Sequence, residues 1–538
     1  MGAALGNRAV RHPLVSVMFA LTASAAVPGA GRDDRAGITT YIGVPGHTAS
    51  TAFTSLSAAG ASLGIWKYKG SSYARFAARS PTTVVVTASE PVTSCEVRPK
   101  THAIPTSTDG HTCTFEVSAP MNLEVGINGL EKLFLFVETP QEAAPVCCDG
   151  KTVFDATTYP GVDRTGRTKS TGIQAAIQNV AGKSTCTNTS ICTLYFRTGT
   201  YLAGQLFLRS KVQLYLQSGA KLQASTNRAD YKLDPGTHRT AFITADNVSY
   251  TGISGPGAID GDGLAYRKRN NASSPYPYWN CRTTTNAMCW DSPRLVLIRR
   301  SHHVTVRDVM MLDPAAWANH IHYSDRVTYD NVKVVDDRIK FNTDAVDVDA
   351  STNVTVRRSF YHGRDDGFCV KATRELGLVK ASRNIRFIDN TVGYGNNATK
   401  LGTETYVGGN MDDITVQNLY VTNAARPFGV YVKDGIAVGP TTGIRVDGVY
   451  ADVVRQQGFA IEISKRNKSS AIGRVSHVVL NNFNLPATVG TSTVHGFDGA
   501  HLVSDVSITS FKIGGVLKKT LTAARITKNG HTSNITIR

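Results

Sequence analysis

Two short segments in the second half of the chain bring carboxylates to a spacing that could do chemistry: Asn342-Thr343-Asp344 and Gly363-Arg364-Asp365-Asp366-Gly367. Asp344 and Asp365 stand 21 residues apart, and Asp366 follows at once. Three like charges held close cannot all ionise, so at least one should keep its proton near neutral pH. A carboxyl that keeps its proton is a general acid, and an ionised neighbour is a general base. That pair is what glycoside hydrolysis requires. The same residues have two other readings. Clustered oxygens also suit Ca²⁺, and Asp commonly caps solvated turns.

The carboxylates meet only if one segment lies above the other, and the surrounding sequence has the period for that. After residue 150, short β-branched runs return every 20 to 30 residues: Val304-Thr305-Val306, Val327-Thr328-Tyr329, Val354-Thr355-Val356, Ile385-Arg386-Phe387, Ile414-Thr415-Val416 and Ile444-Arg445-Val446. No helical segments separate them, which excludes βαβ units. Strands repeating at the length of one coil define a parallel β-helix, with each turn stacked about 4.8 Å above the last. Asp344 and Asp365, one coil apart, become neighbours. Asp366 would face away on a regular strand, so the cluster needs a strand end or turn, which Gly363 and Gly367 permit. Gly172 to Val180 has apolar residues at helical spacing and is expected to cap the first coil.

The expected architecture is all-β, with a small β-sandwich over 31–142, a linker over 143–150 and the β-helix over 151–538. In the sandwich, runs such as Val84-Val85-Val86 and Leu133 to Phe136 are separated by turn residues. Residues 1–30 read as a signal peptide: Arg8 and Arg11 precede an apolar stretch, Leu14 to Val27, that contains Ala23-Ser24-Ala25. A secreted, extracellular protein is expected. Cys95/Cys113, Cys186/Cys192 and Cys281/Cys289 lie close enough in sequence to close small loops. Cys147, Cys148 and Cys369 remain, and their odd number implies a free thiol or an intermolecular bond. Seven Asn-x-Ser/Thr sequons are either glycan acceptors or chance products of an Asn/Thr-rich β-protein.

In order and spacing, the motifs resemble glycoside hydrolase family 28, the polygalacturonase-like enzymes. Besides the two acidic segments, the resemblance is carried by Val153-Phe154-Asp155-Ala156, the stretches beginning at Gly199 and Gly219, and Gly255 to Gly263. It covers roughly 150 to 535 and implies a right-handed helix of the pectin-lyase type and an inverting hydrolysis with no metal or other cofactor. Asp365 resembles the family's general acid, and Asp344 and Asp366 the pair that holds and deprotonates the attacking water. Asn342 belongs to the family's Asn-Thr-Asp motif and is expected to contact substrate. The family's Gly-His-Gly falls on Asn396-Asn397-Ala398, so Asn397, which is also a sequon, replaces histidine; a glycan there would obstruct the cleft. The family's Arg-Ile-Lys falls on Tyr431-Val432-Lys433. Lys433 is kept, and Tyr431 offers a stacking ring in place of a charged fork. The preceding sandwich resembles that of glycoside hydrolase family 49, the dextranase and isopullulanase relatives.

The chain has 58 Lys+Arg against 41 Asp+Glu, a net +17. Residues 340–435 come to only +1, whereas 151–339 carry +9 and 436–538 carry +7. Basic coils on either side of a nearly neutral centre favour an acidic or acid-decorated polysaccharide as partner. No nucleic-acid motif or apolar run of the ~20 residues a membrane span requires is present after the N-terminus, and a monomer is expected. Tyr266 to Asn271, with Tyr276 to Trp279, reads as a cationic and aromatic loop that could meet sugars. His302/His303 and His320/His322 lie at strand spacing on neighbouring coils and read as stacked structural or cleft-lining residues rather than metal ligands. Asp347 and Asp349 alternate with Val346 and Val348 and read as a solvent-facing row. The alternatives to a polygalacturonase-like hydrolase are a neutral α-glucan hydrolase, a Ca²⁺-dependent pectate-lyase-type eliminase and a non-catalytic carbohydrate-binding β-helix.

Overall fold

The repeating Val-Thr-Val phrase is the cross-section of one wall. In the strands His302–Arg307, Asp325–Asp330, Thr352–Arg357 and Ser382–Ile388, parallel pairing sets Val304, Val327, Val354 and Ile385 in one vertical ladder. Ile414, Ile444, Val478 and Val506 continue it. All eight are buried, because period-2 alternation turns every second side chain into the bore. The residue before each member is left-handed: His303, Arg326, Asn353, Asn384, Asp413, Gly443, His477 and Asp505 have φ between 51° and 63°. Asn, Asp and Gly tolerate that bend best. The sequons at Asn353 and Asn534 follow from it, since a left-handed Asn precedes an inward β-branched residue and an outward Thr.

The structure, a computed structural model, describes residues 34–35, 37–141, 144–232, 241–270, 292–374, 378–405, 410–434 and 439–538. The expected signal peptide, Cys281/Cys289 and Tyr276 to Trp279 lie outside these residues. From Val153–Asp155 onward the strands form a right-handed parallel β-helix with three faces. One coil shows the pattern: Thr352–Arg357 on the first face, Phe360–His362 on the second and Phe368–Ala372 on the third. The helix Ile173–Ala181 buries Ile173, Ala176, Ile177 and Val180 against the first coils, as expected of a cap.

Ahead of the β-helix, two sheets face each other. One contains Ser71–Ala78, Leu133–Glu138 and Met121–Ile127, the other Thr112–Val117, Thr82–Ala88 and Phe53–Ala58. Leu133–Glu138 is buried along its whole length. Leu133, Leu135 and Val137 fill the sandwich core, while Phe134 and Phe136 pack on Met310, Leu312, Val335 and Phe360 of the second face. A buried ion network pins the same contact. Arg75 grips Glu138 with two nitrogens, at 2.6 and 3.0 Å, Lys333 donates to the same carboxylate, and Arg75 reaches the Pro256 carbonyl at 2.7 Å. Burial alone would raise Glu138, but the two cations hold it below the usual carboxylate range. The cysteines Cys95/Cys113, Cys186/Cys192 and Cys147/Cys148 are bonded, and Cys369 is a buried free thiol.

Candidate active site

All three candidate carboxylates lie where the chain turns from the second face to the third. Asp344 precedes Val346–Asp349, and Asp365 and Asp366 precede Phe368–Ala372. Val346 pairs with Phe368, and Ala345 N donates to the Asp366 carbonyl at 3.1 Å. Carried two residues back, this register sets Asp344 opposite Asp366 rather than opposite Asp365. The carboxylate oxygens of Asp344 and Asp366 and the Cys369 sulfur all lie within 4.8 Å of one another.

The two adjacent acids have opposite surroundings. Asp366 is buried and both its oxygens accept hydrogen bonds. Oδ1 accepts from Asn397 N at 3.0 Å, Asn397 Nδ2 at 2.7 Å and Asn396 Nδ2 at 3.2 Å, and Oδ2 accepts from Lys400 Nζ at 2.6 Å. Burial pushes Asp366 upward, but Lys400 and the Asn397 donors outweigh it and keep the carboxylate ionised below its usual range. Asp365 is partly exposed, and Oδ2 accepts one bond, from Asn342 N at 2.8 Å. Desolvation and then the Asp366 charge raise it. Asp344 is raised furthest, by burial and then by Asp347, Asp365 and Asp366, with Lys371 opposing. One carboxyl pulled down and two pushed up therefore share the turn. With Lys400 and three amide donors on its oxygens, Asp366 has little left for Ca²⁺.

Several supports were not legible in the sequence. Tyr361 OH accepts from Asp365 N and donates to the Thr343 carbonyl, both at 3.1 Å, so it ties the two acidic turns together. Lys340 meets Asp336, Asp313 and Asp337 at 2.5, 2.6 and 3.0 Å, and Lys69 of the sandwich pairs with Asp313 and Asp337. Arg267 donates to the Phe341 carbonyl at 2.8 Å. The loop carrying Asn342 and Asp344 is thus held from three sides. On the third face, Lys371 lies 3.4 Å from Asp347 and 3.1 Å from Glu404. An outward Lys one coil from an outward Asp was the available signal for Lys371, which stands opposite Asp349, but it needs the register to be read. Lys400 stands opposite Cys369 and offered no such signal.

Three expectations are corrected. Asp347 and Asp349 do not face solvent; both are fully buried. Lys371 lies beside Asp347, whose pKa rises to about 7 by burial, and Asp349 accepts from Thr373 N at 2.7 Å and Thr373 Oγ1 at 2.6 Å. His302 and His320 occupy different faces, because His302 pairs with Asp325 and His320 with Asp347. His320 and His322 do stack, 4.9 Å apart and buried. Tyr266 and Arg267 are buried in the helix Gly263–Asn270 rather than offered to sugars. The Asn397 amide nitrogen is bonded to Asp366 in the folded chain, so the site is not presented to a glycan.

The other candidates converge. Tyr431 is buried in the column of Gly402 and Glu462. A Cβ on Gly429 would lie 2.5 Å from the Tyr431 ring and 3.2 Å from Asn397 Oδ1, so glycine there lets the ring lie back toward Asn397. Burial pushes the Tyr431 hydroxyl up to about 12. The Lys433 ammonium sits 4.8 Å from the centre of that ring and 3.9 Å from Glu462.

A three-faced parallel β-helix with a carboxyl cluster on one turn column defines the class, that of the pectin-lyase-fold proteins. The chain belongs to glycosyl hydrolases family 28, whose sequence profile matches residues 186–530. An endo-polygalacturonase from Pectobacterium carotovorum is 27% identical over 266 residues, 47% of this chain and 62% of that protein. The chain thus spans less than two thirds of that relative's length. Among solved structures, the family 28 exopolygalacturonase of Yersinia enterocolitica superposes with a TM-score of 0.53 at 15% identity, over 88% of this chain and 98% of that one. Dex49A from Penicillium minioluteum gives 0.53 at 14% identity, over 95% and 100%. Both likenesses concern the fold.

Proposed function

We propose that the protein is a secreted, inverting glycoside hydrolase that cleaves an extracellular, pectin-type acidic polysaccharide. The observation that carries this reading is the division of labour between adjacent residues: Asp365 is raised and partly exposed, while Asp366 is held as an anion by Lys400 and Asn397. Asp365 protonates the glycosidic oxygen as the bond breaks. Water enters from the opposite side of the sugar ring and is oriented by Asp344 and Asp366. Asp366, whose Oδ2 accepts only from Lys400 among the described residues, takes the water's proton as it attacks, which inverts the anomeric carbon. Tyr431 and Lys433 flank this centre from the third face, where a ring and a cation suit an acidic sugar.

Family membership and the polygalacturonase relatives support the reaction class. The test is release of reducing ends from polygalacturonate, rhamnogalacturonan, dextran and pullulan. Release from polygalacturonate, abolished in Asp365→Asn, is expected; release from dextran or pullulan alone would move the assignment to neutral glucans.

A further inference from the structure

Arginines on the outer face of the coils are commonly matched to an acid one coil away. Arg299 and Arg300 pair with Asp246, Arg357 and Arg358 with Asp330, and Arg386 with Asp413. Arg338 and Arg455 break this pattern. Their guanidinium groups lie over the same ring, 4.9 and 4.1 Å from the centre of Tyr394. Both are exposed, and among the described residues neither has a carboxylate partner. The acceptors of Arg455 are neutral: Asn423 Oδ1 and, at 2.6 Å, the Gly395 carbonyl. Two like charges on one ring repel. Burial and then the neighbouring Arg338 lower the Arg455 pKa, against the pull of Tyr394. An arriving anion would relieve that repulsion.

The clamp adjoins the reacting groups. Asn396, two residues after Tyr394, donates its backbone N–H to the Asp365 carbonyl at 2.7 Å and its side-chain amide to Asp366. Arg338 lies on the loop that carries Asn342 and Asp344. We propose that Arg338, Tyr394 and Arg455 form a subsite that takes the carboxylate of a uronic-acid residue in a polysaccharide bound across Asp365. Tyr394 holds the two forks in place, and the carboxylate accepts charge-assisted hydrogen bonds from both. The cation absent at Tyr431 is thereby supplied from the turn column instead of the third face. This subsite rests on the polysaccharide-hydrolase reading above.

The test uses the full chain carrying Asp365→Asn, so that ligand is bound and not consumed. Calorimetry compares a galacturonate oligomer with its fully methyl-esterified form at low salt, where exposed charges are least screened. The acid is expected to bind about ten-fold more tightly, equivalent to about 1.4 kcal/mol. Adding Arg338→Gln or Arg455→Lys should remove most of that preference, with a smaller loss of affinity for the ester than for the acid. Arg338 makes no hydrogen bond to any described residue, so its replacement leaves the fold intact. The same ten-fold preference in both variants, or no preference in the parent, overturns the subsite. Binding of a dextran oligomer with neither galacturonate form overturns the subsite while the glycosidase reading stands. Failure to bind any of the three would overturn both.

Discussion

Asp365 and Asp366 are adjacent in sequence, yet their donors differ: one backbone N–H for Asp365, and three amide donors with a lysine for Asp366. The pH dependence follows from the signs. Asp366 is depressed, so activity is lost on the acid side as it gains a proton; Asp365 is raised, so activity is lost on the alkaline side as it gives one up. Lys400→Met should raise the Asp366 pKa, move the acid limb of the pH–rate profile upward by about a unit or more, and lower the maximal rate. Lys400→Arg should restore part of both. An acid limb that stays in place would show that Lys400 is a packing residue only.

The strands were legible because each coil repeats one physical problem: a left-handed residue, then an inward apolar, an outward polar and an inward apolar side chain. The acidic turns were legible for their composition and their flanking glycines. The outward columns of the third face were not, because burial there depends on which residue of the next coil stands opposite. Asp347 alternates with valines as a solvent-facing residue would; it is the stacking of His320, Cys369 and Lys400 in its column that makes it a buried one. Two variants test the stacking itself. Ile414→Ala, in the inward ladder, should destabilise the chain by about 2–5 kcal/mol in denaturant unfolding with little effect on KM. Gly429→Ala should drive the Tyr431 ring away from Asn397, at a cost of about 1–3 kcal/mol. Its clearest effect should be a raised KM, and a KM unchanged from wild type would remove Tyr431 from the substrate's path.

Across the molecule, the sandwich is bound to the β-helix by an apolar face and by a buried carboxylate shared between Arg75 and Lys333, while Lys69 braces the acidic loop. Glu138→Gln would leave two buried cations without their anion and should lower stability by about 3–5 kcal/mol near neutral pH. Because Glu138 is depressed in the folded chain, its contribution is present above the unfolded-state pKa of about 4.3 and fades as pH falls through the folded value. The gap between wild type and variant in thermal unfolding should narrow accordingly. The central claim, that this braced turn column hydrolyses a glycosidic bond with Asp365 as acid, is tested most directly by a proton NMR time course of polygalacturonate digestion, with Asp365→Asn run beside the wild type. The account predicts that the inverted anomer appears first at new reducing ends, that no vinyl proton signal develops, and that the variant is slower by at least about 100-fold. A vinyl signal, a retained anomer as first product, or equal rates in the two proteins would contradict it.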